Sequence, residues 1–136
     1  MGEYILKKMV SDRGLSDQYY IESAATSTEE LGNPVYPPAR SELARHGIDC
    51  SGHSARQVRK SDYDNFDIII AMEDIHKRIM RDRFFSGDPE NKIKLCMELA
   101  GKPGEQVDDP WYTGRFSEVY NQIYEACEGL LEHTYE

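Results

Sequence analysis

Two stretches of the chain combine residue types that could do chemistry. The first, Cys50-Ser51-Gly52-His53-Ser54-Ala55-Arg56, places an arginine after a cysteine and five intervening residues. A loop of that length can aim backbone N–H groups at a phosphate, lower the thiol pKa and let the guanidinium clamp two phosphate oxygens, so that a thiolate could attack phosphorus. The spacing is weakly specific: three cysteines and nine arginines in 136 residues produce about 0.2 such matches by chance. A phosphate-cradling loop also normally joins a buried strand to a helix N-terminus, and only Ile48 precedes this one. The context favours a surface loop with an incidental cysteine. The second stretch is Asp108-Asp109-Pro110-Trp111-Tyr112. A carboxylic acid beside aromatic rings can keep its proton in a partly apolar pocket and deliver it to a leaving oxygen, as phosphoester cleavage requires. Asp-Pro also starts ordinary turns, and paired aromatic rings also cap cores.

The elements that must position these groups follow from periodicity and turn chemistry. Tyr4, Ile5, Met9 and Val10 fall at helical spacing before Gly14, which predicts a helix over about 3–13. Residues 19–24 are rich in β-formers and predict a strand running into a loop. Pro38 suits the first turn of a helix over about 39–45, stopped by Gly47. After a polar stretch, Ser61-Asp62 predicts a short helical turn, and the unbroken apolar run 66–72 predicts a strand buried on both faces. A helix over about 73–85, a turn at Gly87-Asp88-Pro89, a short strand over 93–97 and a long loop over 101–110 come next. The last element carries Phe116, Val119, Tyr120, Ile123, Tyr124, Cys127, Leu130 and Leu131 on one helical face. This alternation predicts an α/β fold layered about a parallel sheet, in one domain over residues 1–136.

Composition narrows the function classes. A hydrophobic content of 39% fills one core in a chain of this length. Acidic residues outnumber basic ones by 25 to 16, giving a net charge of −9, which repels a phosphate backbone and disfavours nucleic-acid binding. The excess is uneven: 8 basic and 8 acidic residues up to Lys60, 8 and 17 after it. No run approaches the roughly 20 apolar residues of a spanning helix, and the start lacks the basic-then-apolar layout of a secretory signal. The expectation is a cytoplasmic protein with no membrane partner. Three cysteines without a CxxC or Cys/His pairing predict free thiols, with neither a disulfide framework nor a zinc site.

Taken together in order, Ile21-Glu22-Ser23-Ala24-Ala25-Thr26-Ser27, Gly32-Asn33-Pro34, Arg45-His46-Gly47-Ile48, Ala55-Arg56-Gln57, Phe66-Asp67-Ile68-Ile69-Ile70-Ala71-Met72 and Asp109-Pro110-Trp111-Tyr112 resemble a low-molecular-weight protein tyrosine phosphatase. The resemblance covers essentially the whole chain, in a style similar to the bacterial members. It implies a three-layer, flavodoxin-like or Rossmann-like α/β fold with a parallel sheet in the order 2-1-3-4. It further implies two-step hydrolysis of phosphotyrosine proteins or small aryl phosphates through a phosphocysteine, with no metal and no cofactor. By the same resemblance Asp109 is the general acid and then the general base. Trp111 and Tyr112 are the wall that grips the substrate ring and favours phosphotyrosine over phosphoarginine. Ser23 and His53 support the phosphate-binding loop.

In that family the nucleophilic cysteine and the phosphate-binding arginine lie in a C-x5-R-S-P loop directly after the first strand, ahead of a helix that opens like Met1-Gly2-Glu3-Tyr4-Ile5-Leu6. The resemblance therefore implies that roughly 15 to 20 residues, the central strand and the catalytic loop, are absent from the 136. Cys50 to Arg56 falls in the connection before the third strand, away from that slot, and Glu73 stands where relatives often carry aspartate. The chain as written is then expected to be an inactive scaffold whose full-length form hydrolyses phosphotyrosine. Segments 19–24 and 66–72 lose their shared neighbour, and are expected to pair directly, to pair with another chain through exposed strand edges as in a homodimer, or to stay partly disordered. The alternatives are a non-catalytic domain that binds phosphotyrosine or protein, and an unrelated phosphatase built on Cys50 and Arg56.

Overall fold

Ile5, Leu6, Met9 and Val10 recur at helical spacing and form the buried face of α1, Gly2–Asp12. Gly14, at φ 71°, turns the chain after it, and a 3-10 turn over Ser16–Gln18 follows. The computed structural model describes residues 1–26, 32, 33 and 35–134, the side chains of Trp111, Tyr112, His133 and Thr134 excepted; Ser27 and Pro34 of the quoted motifs lie outside the described residues.

The strand expected over 19–24 is not formed. Residues 19–24 join no ladder, and just after them only Ala25 makes an isolated parallel bridge, to Gln57. There the Ala25 N–H donates to the Arg56 carbonyl at 2.8 Å, and the Val58 N–H to the Ala25 carbonyl at 2.9 Å. β-Propensity makes a backbone extended, but a strand needs a neighbour to take its N–H and C=O groups. The Ser23 N–H goes to a carboxylate instead, that of Glu3.

Helix α2 is Pro37–Arg45, beginning two residues before the expected start. Proline fits the first helical turn because no intrahelical acceptor waits for its missing N–H. A four-residue helix α3, Asp62–Asn65, then leads to β1, Ile69–Ala71. β1 pairs in parallel with β2, Ile93–Leu95, in the register Ile69 to Ile93, Ile70 to Lys94 and Ala71 to Leu95. The apolar run 66–72 thus yields three ladder residues, not seven. Nor is it buried on both faces: Ile69 and Ile70 are half-buried, and Ile68 is 41% exposed. β2 occupies one edge of β1, and no backbone hydrogen bond among the described residues joins β1 to segment 19–24. Of the three expected outcomes, direct pairing of the two segments is therefore not made among the described residues.

The helix expected over 73–85 is split into α4, Asp74–Ile79, and a π-helical turn over Met80–Phe84. The Phe85 N–H reaches back five residues to the Met80 carbonyl at 2.9 Å, and the wider turn sends both Met80 and Phe85 inward. The second strand also ends early. Glu98 accepts the Leu95 N–H at 3.1 Å and starts α5, Cys96–Leu99, where residues 96 and 97 of the expected strand become helical. The long loop ends in α6, Pro110–Thr113, and α7 runs over Phe116–Thr134.

The larger core joins α1, α2, α5 and α7 through Leu6, Leu43, Met97, Ile123 and Leu131, among others; a smaller one gathers Val58, Tyr63, Ala71, Met80, Phe85 and Ile93 around the sheet. Of the predicted α7 face, Val119, Tyr120, Ile123, Cys127, Leu130 and Leu131 are buried, while Phe116 is half-buried and Tyr124 is 42% exposed. A Cβ at Gly129 would overlap the Leu99 carbonyl oxygen, so the close approach of α5 to α7 requires glycine there. All three cysteines are free and buried. Among the described residues, no helix is long and apolar enough to cross a membrane.

Candidate active site

In a parallel α/β sheet, ligands bind beyond the C-terminal ends of the strands, where loops and helix N-termini meet. Here that end is marked by Met72, directly after β1. Its carbonyl accepts the Val107 N–H at 2.9 Å, and the Asp74 N–H that opens α4 donates to Gln106 Oε1 at 2.6 Å. With Val107 only 2% exposed, these bonds dock the loop over 101–109 on the strand end and leave Asp109, two residues further on, exposed. Trp111 and Tyr112 follow in α6; their side chains lie outside the described residues.

The start of α1 arrives at the same place. A Cβ added to Gly2 would stand 3.2 Å from the Met72 Cε atom. One residue on, the Glu3 carboxylate gathers the two residues expected to support a phosphate loop. Ser23 donates to its Oε1 through both N–H (2.9 Å) and Oγ (2.6 Å), and His53 Nδ1 lies 3.7 Å from the same oxygen. Lys7 Nζ donates to the other oxygen at 2.6 Å. The Tyr4 ring meets the His53 imidazole edge-on, with centroids 5.5 Å apart. Burial by itself disfavours the charged carboxylate, yet the hydrogen bonds from Lys7 and Ser23, with the charges of Lys7 and His53, outweigh it and hold the Glu3 carboxyl below its ordinary value.

Glu3 is the residue that sequence reasoning missed. The available signal was weak: an acidic side chain in a first helical turn usually does no more than favour the helix dipole. Its role arises from residues 20 and 50 positions away in the chain. A second carboxylate cluster was equally invisible. Arg56 donates to Asp62 at 2.9 and 3.2 Å and to Glu22 at 3.2 Å.

That cluster decides the C-x5-R stretch. Both Nη atoms of the Arg56 guanidinium are held by carboxylates and its Nε is buried, so it is not presented to a phosphate, while Cys50 is 3% exposed within the larger core. Ser51, Gly52 and Ser54 are exposed, as expected of a surface loop, but Cys50 itself is buried and helps to fill the core. The stretch is not an assembled phosphate cradle. Glu73 immediately precedes α4 without a side-chain capping bond.

A model of the family described as low molecular weight phosphotyrosine protein phosphatase matches residues 1–136. The chain belongs to that family. The mouse low molecular weight phosphotyrosine protein phosphatase is 35% identical over 144 residues, spanning 99% of this chain and 87% of its own length. Among solved structures, that of YfkJ from Bacillus subtilis superposes with a TM-score of 0.91 at 32% identity, covering 97% of this chain and 83% of that one. The structure of a Drosophila arginine phosphatase superposes with a TM-score of 0.86 at 30% identity, covering 99% and 88%. These likenesses give the low molecular weight phosphatase scaffold and its parallel-sheet α/β fold, as expected from the sequence. Identity to mouse and to Bacillus sequences is nearly the same, 35% and 33%, and does not single out a bacterial type.

Proposed function

We propose that the chain is the scaffold of a phosphotyrosine phosphatase whose chemistry requires a C-x5-R-S-P loop ahead of α1, and that the 136 residues alone have no thiolate-based turnover. The observation that carries this reading is the convergence of Ser23 and His53 on Glu3 at the start of α1, beside the docked loop that bears Asp109. With the loop present, its thiolate attacks phosphorus. The P–O bond to the phenol breaks, and Asp109 protonates the departing oxygen. Water then attacks the phosphocysteine and gives a proton to the Asp109 carboxylate, and the S–P bond breaks to release phosphate and restore the thiolate. Trp111 and Tyr112 stack against the substrate ring, and their bulk favours an aryl phosphate over phosphoarginine. Without the loop only the acid remains, and general acid catalysis contributes roughly 10²–10⁴-fold. The buried, unpaired thiols support a reducing, cytoplasmic setting.

The test is turnover of an aryl phosphate by the chain as given, by Cys50→Ser, and by a form with a family-type strand and C-x5-R-S-P loop ahead of Met1, with and without Asp109→Ala. The expected result is activity in the restored form alone, falling by about 10²–10⁴ with Asp109→Ala. Activity in the given chain that disappears with Cys50→Ser would overturn the reading.

A further inference from the structure

A cleft of about 480 Å³ lies away from Met72 and Asp109, between the C-terminal half of α1, the turn after α2 and the middle of α7. Its size is in the range of small-molecule sites. Its chemistry divides into a floor, a wall and a rim. The floor is apolar, made by the buried side chains of Ile5, Met9 and Ile48.

The wall is aromatic and held in place from behind. His46 stacks face to face on Tyr120, with centroids 3.6 Å apart and planes 5° from parallel. His46 Nε2 lies 3.4 Å from the carboxylate of Glu42, which is only 2% exposed. Tyr124 continues the stack 6.1 Å beyond Tyr120 and presents an exposed ring to the cleft. A planar aromatic ring fits against such a wall without reordering it.

The rim is cationic in a chain of net charge −9. Lys8 and Asp12 pair at 3.1 Å and cancel, while Arg13, at the end of α1, makes no ion pair among the described residues. A guanidinium is charged at any working pH and binds carboxylate or phosphate oxygens two at a time. We propose that this cleft binds a small planar aromatic anion, its ring on Tyr124 and the His46–Tyr120 stack, its acid group on Arg13. The proposal goes beyond the phosphatase reading and does not rest on it, because occupancy is read directly and not through turnover.

The experiment titrates the unmodified chain with 2-naphthoate, 2-naphthamide and 2-naphthylmethylammonium to about 5 mM, a range that captures millimolar and tighter binding, while ¹H–¹⁵N spectra follow the backbone. The expected order is naphthoate tightest and the ammonium weakest, with shifts centred on Arg13, His46, Tyr124 and Asn121, which also lines the cleft. Arg13→Glu should weaken naphthoate by about tenfold, the loss of one charge-assisted contact, and leave the amide within about twofold. Tyr124→Ala should weaken both. Both positions are exposed, so neither variant disturbs folding. Equal affinity for the three compounds, shifts centred elsewhere, no saturable binding, or naphthoate affinity indifferent to Arg13→Glu would each overturn the proposal.

Discussion

Replacing Glu3 by glutamine removes one charge and almost no volume, so it isolates what the carboxylate does at the start of α1. Four contacts meet there: Lys7 Nζ at 2.6 Å, the Ser23 N–H at 2.9 Å, Ser23 Oγ at 2.6 Å and His53 Nδ1 at 3.7 Å. The Glu3 side chain is only 8% exposed, whereas that of Lys7 is 46% exposed. Solvent screening limits the Lys7 pair to roughly 0.3–0.5 kcal/mol. Ser23 is exposed as well, but it donates twice to one carboxylate oxygen. Bonds to an ionised acceptor contribute about 1.5–3 kcal/mol and neutral ones about 0.5–1.5, so glutamine, which keeps a carbonyl acceptor, forfeits about 1 kcal/mol at each. The expected penalty near neutral pH is about 2 kcal/mol in all. It also has a pH signature. The Glu3 carboxyl titrates below its ordinary value, so the carboxylate stabilises the fold at pH above that value, and the contribution is lost as the pH falls through the folded pKa. Urea unfolding followed by circular dichroism, on both proteins at a series of pH values, measures this. The two stabilities should differ near neutrality and converge in acid. A penalty independent of pH would refute the electrostatic reasoning and leave only a packing defect.

Two further outcomes can be checked with the same material. Gly129→Ala raises helix propensity by about 1 kcal/mol but drives a methyl group into the Leu99 carbonyl; overpacking dominates, and the variant should lose about 1–3 kcal/mol in chemical denaturation. A gain in stability would mean that α5 moves aside freely. Burial pushes the Cys96 thiol up to about 11 and, with the charge of Cys96 adding to it, the Cys127 thiol up to about 12. Alkylation of both at mildly alkaline pH should therefore be far slower in the native protein than in urea, as mass spectrometry of the labelled peptides would record. Native labelling at the unfolded rate would contradict the burial of α5 against α7.

How much was legible beforehand depended on the range of the interaction. The helical faces of α1 and α7 were readable because a 3.6-residue repeat is printed locally; Ile5, Met9, Val119, Ile123 and Leu131 are buried as their spacing predicts. Strand extent was not, because a strand is completed by its neighbour. The apolar run 66–72 pairs at three residues, and the β-rich segment 19–24 joins no ladder among the described residues. The end of β2 was set by a side chain three residues on, Glu98, which caps a helix where apolar content suggested more strand. The π-helical turn at Met80–Phe84 leaves no mark in the periodicity of a single helix.

The order of residue types along the chain was enough for the α/β class and for an acid beside aromatic rings at Asp109, which follow from local spacing and turn chemistry, while the resemblance of the quoted motifs to the phosphatase family made Ser23 and His53 candidates. The tertiary structure alone decided that Ser23 and His53 meet on Glu3, that Asp62 and Glu22 occupy Arg56, and that Cys50 belongs to the core. Each of these joins groups on separate segments. Hydrogen bonds and ion pairs act over about 3 Å, and only the packing of α1, α7 and the sheet brings those segments within that distance.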